Sequence, residues 1–74
     1  MMEKNVKIGT EYIKLSDLLK YANIVSSGSE GKYLVLEGKV SIDGEIILQR
    51  GKKIYPGMKV FCEYDNDQYI IMVS

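Results

Sequence analysis

The chain has 74 residues, of which 46% are hydrophobic and 27% are charged, a composition typical of one small folded domain with a modest core. Ten Lys and Arg residues balance ten Asp and Glu residues, histidine is absent and there is one cysteine, which excludes histidine-dependent catalysis, an internal disulfide and a cysteine zinc site. No apolar run approaches the roughly 20 residues of a membrane span, and the first residues do not form an apolar leader. We therefore expect a cytoplasmic protein that is not an enzyme, has no membrane partner and needs no cofactor or metal.

The N-terminal third predicts extended chain followed by one helix. Residues 1–9 alternate apolar and polar types, as an N-terminal extension or strand does, and residues 10–15 are rich in β-branched and aromatic types. Ser16 is a favourable N-cap, and Asn23 tolerates the left-handed conformation that ends a helix. The first helix is therefore predicted between these two residues, with an apolar stripe formed by Leu15, Leu18, Leu19 and Ala22.

A second helix is predicted by its own start and stop signals. Ser27 and Glu30 have the spacing of a capping box, in which the hydroxyl and the carboxylate each accept a hydrogen bond from a free backbone amide. Ser29 is an alternative N-cap, and Gly38 supplies the left-handed position beyond the helix end. The predicted helix has about two to three turns.

The second half of the chain predicts short strands joined by tight turns. Asp43-Gly44 lies between two alternating segments and is a strong signal for a two-residue hairpin. Pro56-Gly57 favours a type II turn, and residues 61–74 form a predicted C-terminal β-hairpin that turns at an Asp-Asn-Asp sequence. The expected fold class is α+β, with two short helices packed on one face of a small antiparallel sheet.

Four motifs follow one another between residues 14 and 60. They are Lys14-Leu15-x-x-Leu18-Leu19, Ser27-Gly28-Ser29-Glu30-Gly31-Lys32, Glu37-Gly38-Lys39-Val40-x-Ile42-Asp43-Gly44 and Ile54-x-Pro56-Gly57-x-x-Val60. In this order and spacing they resemble the S4 RNA-binding domain, and the chain is most similar to the small stand-alone bacterial proteins of the YaaA and YbcJ type. The resemblance implies a single S4-like RNA-binding domain over residues 1–74, with its core at 14–60.

The chain departs from the family pattern at the second helix and at the first hairpin. Many S4 domains have Arg after the serine that opens the second helix and Ala three residues later, where this chain has Gly28 and Gly31. Asp43 replaces the usual Asn, which preserves the turn chemistry and adds a carboxylate near the surface that the family uses for RNA. These changes leave the predicted fold intact and weaken the expected attraction for RNA.

Charge is unevenly distributed along the chain. Residues 1–59 contain ten basic and seven acidic residues, and the last three acidic residues follow within residues 60–74. In the resembling fold, basic side chains and the start of the second helix converge on an RNA backbone, so the predicted RNA-binding residues are Lys14, Ser27, Gly28, Ser29, Lys32, Lys39, Arg50, Lys52 and Lys53. Two alternatives stay open: the basic run is a solvated loop, or Glu30 already fills the helix start.

Six tyrosines, one phenylalanine and no tryptophan make up the aromatic set. Tyr33 and Tyr55 could stack on unpaired bases, and packing at the rim of the core is the alternative for both. Cys62 alternates in phase with Val60, which predicts a buried thiol with a structural role.

The function predicted from these features is non-enzymatic RNA binding of the S4 class, with structured ribosomal RNA as the expected partner. Recognition would then depend on backbone shape and phosphates more than on base edges. The alternative is a protein-interaction adaptor with an S4-like fold, weak or no RNA binding, and a protein partner on the ribosome or in replication.

Overall fold

The computed structural model of the protein describes residues 1–74 and contains two helices and seven strands. In chain order the elements are β1 (Met2–Val6), β2 (Ile13–Lys14), α1 (Leu15–Tyr21), α2 (Gly28–Leu36), β3 (Val40–Ile42), β4 (Glu45–Ile46), β5 (Lys53–Ile54), β6 (Lys59–Tyr64) and β7 (Asp67–Val73). The predicted α+β class is confirmed.

Helix α1 begins two residues earlier than a cap at Ser16 allows, so the prediction of Ser16 as N-cap is wrong. The N-cap position is Lys14, whose side chain makes no capping hydrogen bond. Instead, the Leu15 amide donates to the Lys52 carbonyl at 2.9 Å, and the Ser16 amide donates to the Arg50 carbonyl at 3.0 Å. A distant loop therefore satisfies the free amides of this helix start, which removes the need for a side-chain cap. The predicted stop at Asn23 is confirmed by its left-handed φ of 60°.

Helix α2 matches its predicted limits. The Ser27 hydroxyl accepts a hydrogen bond from the Glu30 amide at 3.2 Å, and Gly38 has a φ of +76° beyond the last turn. The Glu30 carboxylate does not return to Ser27, because it accepts hydrogen bonds from the backbone amide and hydroxyl of Ser26. The hydrogen bond from the Glu30 amide to the Ser27 hydroxyl is thus present, whereas the Glu30 carboxylate bonds to the amide of Ser26 and not to that of Ser27.

Five strands form a mixed sheet in the order β1-β7-β6-β3-β4. The predicted hairpins β3-β4 and β6-β7 are antiparallel, and their turns have left-handed residues at Asp43 and Gly44 and at Asp65 and Asn66. Strand β1 joins the edge of β7 in parallel, from Met2↔Tyr69 to Val6↔Val73, which makes the sheet mixed. A second, two-stranded sheet pairs β2 with β5.

The helices cover one face of the main sheet and enclose the core with it. Seventeen buried hydrophobic residues form one cluster, and no polar or charged residue is buried. Full burial of a Leu, Ile or Val side chain contributes about 1.5 to 3 kcal/mol relative to its exposure. Cys62 belongs to this core, as predicted, and burial raises the pKa of its thiol to about 12. Neither helix is long and apolar enough to cross a membrane.

Candidate nucleic-acid interface

The two-stranded sheet brings two lysines face to face. In its register Ile13 pairs with Ile54 and Lys14 pairs with Lys53. The two isoleucines pack into or against the core, so alternation along each strand directs both lysines to solvent. Side chains directly opposite one another have Cβ atoms about 5 Å apart, and like charges at this separation are unfavourable. This strand pair therefore concentrates positive charge that an anion would neutralise.

The loop before β5 adds two more basic residues beside this pair. The Lys52 amide closes a turn onto the Gln49 carbonyl at 3.2 Å, and the carbonyls of Arg50 and Lys52 hold the start of α1. These hydrogen bonds fix the backbone of the loop. Neither the Arg50 guanidinium nor the Lys52 ammonium forms an ion pair.

The first turns of α2 lie against the same end of α1. A Cβ atom on Gly31 would lie 2.9 Å from the Ser16 carbonyl oxygen, so the two helices meet closely at this glycine. Gly28 and Lys32 are four residues apart and share the neighbouring side of α2. The amides of Gly28 and Ser29 make no hydrogen bond, and the space around Gly28 is open. We call the surface formed by Lys14, Arg50, Lys52 and Lys53, together with Lys32 on this flank of α2, the basic face.

The Glu30 carboxylate lies at the start of α2, where it is bonded to Ser26 and not to the N-cap residue Ser27. It also accepts a 2.7 Å hydrogen bond from the Tyr64 hydroxyl. These hydrogen bonds, those from Ser26 first, lower the pKa of Glu30 below its ordinary value of 4.5, and the same contact raises the pKa of Tyr64. The Ser27 hydroxyl accepts a hydrogen bond from the Glu30 amide. The free amides at this helix start are therefore those of Gly28 and Ser29.

Two predicted site residues lie elsewhere. The Lys39 ammonium is 3.4 Å from a carboxylate oxygen of Glu63, which is the one ion pair in the structure. Tyr33 is 68% exposed and borders a groove of about 400 Å³. Around this groove, which we call the acidic groove, lie Glu30, Tyr33, Glu37, Lys39, Glu63, Tyr64 and Asp65. The structure does not bring Lys39 or Tyr33 to the basic face.

Sequence reasoning missed one residue beside the basic face, Tyr12. Its ring centroid is 5.9 Å from that of Tyr55, and the Lys53 ammonium lies 4.9 Å from the centre of the Tyr12 ring. The alternation of side chains along a strand could have indicated this position, because it places Tyr12 on the same face as Lys14 and Tyr55 on the same face as Lys53. Only the pairing of the two strands reveals that both tyrosines meet.

The arrangement provides cations, free amides and aromatic rings on one surface, and no group of His, Cys, Asp and Glu residues is placed to hold a metal ion. Such a surface suits an extended anion better than a small enclosed substrate. Residues 6–72 match the S4 domain family, and the chain therefore belongs to that family. The match extends on both sides of the predicted resemblance at 14–60, from the last residue of β1 to the next-to-last residue of β7.

A curated relative is known in Bacillus subtilis (strain 168), where it is named "Probable ribosome maturation protein RlbA". The two sequences are 36% identical over 56 residues, which cover 76% of this chain and 79% of the relative. The predicted membership of a family of small S4 proteins is thus confirmed.

Proposed function

We propose that this protein binds RNA through the basic face without catalysing a reaction, and that structured ribosomal RNA is its target. The observation that carries the proposal is the register that sets Lys14 opposite Lys53, with Arg50 and Lys52 anchored beside them. The repulsion between two like charges reduces the stability of the fold, and a phosphate bound between them would replace this repulsion by attraction. Membership of the S4 domain family and the relative named for ribosome maturation support the same proposal.

Binding of this kind depends on the position of phosphates rather than on the identity of bases. The lysines and Arg50 supply the charge, and the free amides of Gly28 and Ser29 are donors at a helix N-terminus, where the helix dipole also favours an anion. Because these contacts carry no sequence information, an RNA with a defined backbone shape would be preferred to an arbitrary duplex.

The salt dependence of binding to a ribosomal RNA fragment tests the proposal. If about four phosphates are neutralised, the logarithm of the association constant should fall against the logarithm of the salt concentration with a slope near −3. The triple variant Arg50→Glu, Lys52→Glu, Lys53→Glu should lose about 100-fold in affinity and have a shallower slope.

A matched control separates position from total charge. The variant Lys7→Glu, Lys20→Glu, Lys59→Glu changes the net charge equally but alters exposed lysines outside the basic face. We expect its affinity to fall by less than about tenfold, through long-range attraction alone. Equal losses in the two triple variants, or a flat salt response of the native chain, would contradict the proposal.

An adaptor function is the second candidate, and the uncovered face of the main sheet favours it. Val60, Cys62 and Ile71 point into the core, so their strand neighbours Phe61 and Ile70 lie on the opposite face, where both stay partly exposed. Crosslinking in cells followed by ribonuclease digestion distinguishes the candidates. Complexes of an adaptor survive the digestion, whereas complexes held through RNA dissociate.

A further inference from the structure

We infer that Tyr55, with Tyr12 behind it, is a stacking site for one unpaired RNA base at the edge of the basic face. This inference rests on the proposed RNA binding and makes it more specific. It adds that the bound RNA has a bulged or single-stranded nucleotide at this position, which phosphate contacts alone do not require.

Tyr55 is held in a fixed position while its ring stays accessible. Its carbonyl accepts a hydrogen bond from the Met58 amide at 3.1 Å, and its amide lies 3.2 Å from the Met58 sulfur. The same turn is tied to the end of β7, because the Gly57 amide donates to the Val73 carbonyl at 2.7 Å. The side chain is 41% exposed, so a rigid backbone presents an open aromatic surface. A prepositioned ring loses little conformational entropy when a base stacks on it.

The geometry of the tyrosine pair limits where the base can lie. The ring centroids are 5.9 Å apart and the rings are inclined by 51°. A base inserted between them would need about 7 Å, the sum of two van der Waals contacts, so it must stack on the outer side of Tyr55. Tyr12 then supports Tyr55 from behind, and the Lys53 ammonium lies over Tyr12.

The charges around the pair favour a nucleotide on the Tyr55 side. Lys53 and Lys14 lie toward Arg50, which suits the backbone of the nucleotide. A groove of about 390 Å³ borders Tyr12 and is lined also by Glu11, Lys14 and Asp17, whereas Tyr55 does not line it. The carboxylates of Glu11 and Asp17 repel phosphate, so the nucleotide belongs on the Tyr55 side of the pair and not on the Tyr12 side.

Two RNA hairpins of equal length test the inference, one fully paired and one with a single bulged adenosine. We expect the native protein to bind the bulged hairpin about tenfold more tightly, since only the unpaired base can stack on the aromatic ring. Tyr55→Leu preserves apolar volume but removes the aromatic ring, and it should bind both hairpins equally. Tyr55→Phe should retain the preference. Circular dichroism and thermal melting of each variant verify that it is folded.

A fluorescence measurement gives a readout that does not depend on affinity. The chain has no tryptophan, so Tyr55→Trp introduces a single reporter, whose emission should be quenched when the bulged hairpin binds. Tyr33→Trp places the control reporter beside the acidic groove, where no change is expected. Equal binding of both hairpins by the native protein, or a preference that persists in Tyr55→Leu, would overturn the stacking site while RNA binding stands. Failure of both hairpins to bind in a salt-dependent manner would overturn both proposals.

Discussion

The basic face and the acidic groove are both in contact with α2, but their polar groups are satisfied in opposite ways. In the acidic groove Glu30 accepts hydrogen bonds from Ser26 and Tyr64, and Lys39 pairs with Glu63. On the basic face the backbone carbonyls are bonded and the cationic side chains are left without ion-pair partners. Groups that satisfy one another stabilise the fold, whereas cations held near one another without a counter-charge are available for an external anion. The contrast supports the proposal that the basic face, and not the acidic groove, binds an external anion.

Helix geometry explains how one short element serves both regions. Glu30, Tyr33 and Glu37 recur at three- and four-residue intervals and lie on one side of α2, beside the acidic groove. Gly28 and Lys32 recur in the same way on another side, next to Gly31, where α2 touches α1. A change that displaces α2 should therefore affect both regions, and a change on one side should affect one.

The largest effect is expected from a change at the contact between the helices. Gly31→Val would place a branched side chain where even a Cβ atom lies 2.9 Å from a backbone oxygen of Ser16. We expect a loss of about 2 to 3 kcal/mol in the free energy of unfolding, measured by urea denaturation, because helix backbones cannot yield as a flexible side chain does.

Gly28→Val is the matched control for that substitution. The position is in the first turn of the same helix, and a Cβ atom there meets nothing within 4 Å. Its free energy of unfolding should change by less than about 0.5 kcal/mol. Equal destabilisation by both variants would mean that helix propensity, and not the close contact with α1, explains the loss.

Smaller effects are expected at Lys14, where one substitution should raise the stability of the fold and lower the affinity for RNA. Lys14→Glu replaces a like-charge pair across the strands by an ion pair with Lys53, which should stabilise the fold by about 0.2 to 1 kcal/mol. The same substitution should lower RNA affinity about tenfold by removing a phosphate contact. Thermal melting and filter binding measure the two quantities. A variant that is both less stable and unchanged in affinity would contradict the proposed use of this pair.

The acidic groove should contribute a pH-dependent term to the stability of the fold through Glu30. Since the folded-state pKa of Glu30 lies below its unfolded value of about 4.5, its contribution to stability is complete above that pH and is lost as the pH falls through the folded pKa. Native protein should therefore lose more stability between about pH 6 and about pH 3 than Glu30→Gln does, as measured by urea denaturation at each pH.

A control for total charge comes from the same side of α2. Glu37→Gln removes a carboxylate of the same groove that accepts no side-chain hydrogen bond, so any change in pH dependence that it shares with Glu30→Gln is due to charge alone. If Glu30→Gln were destabilised by acid as steeply as the native protein, the hydrogen bonds of Glu30 would have no part in the pH dependence.

The smallest effect is expected at Lys39. Its ion pair with Glu63 is exposed on both sides, so Lys39→Ala should change the free energy of unfolding by less than about 1 kcal/mol. RNA affinity should stay within about twofold of the native value, because Lys39 is engaged at the acidic groove. A tenfold loss of affinity, measured by filter binding beside Lys14→Ala, would return Lys39 to the RNA-binding surface that its sequence position suggested.

Much of the local structure could be predicted because it depends on few neighbouring residues. The cap at Ser27, the helix ends at Asn23 and Gly38, and the hairpin turn at Asp43-Gly44 are confirmed, since each reflects the conformational preference of a short segment. The burial of Cys62 followed from the strand period in the same way.

What the sequence by itself determined is therefore the two helices, the two hairpins with their turns, and the family to which the chain belongs, whereas the short strand β5 was not predicted. Only the tertiary structure decided that β1 joins β7 in parallel, that a distant loop replaces Ser16 as the cap of α1, and that Lys39 pairs with Glu63. It also decided that Lys14 faces Lys53 and that Tyr12 meets Tyr55. These outcomes depend on which distant segments pack together. Side-chain alternation and turn residues determine the conformation of one segment, but they do not determine which other segment it pairs with.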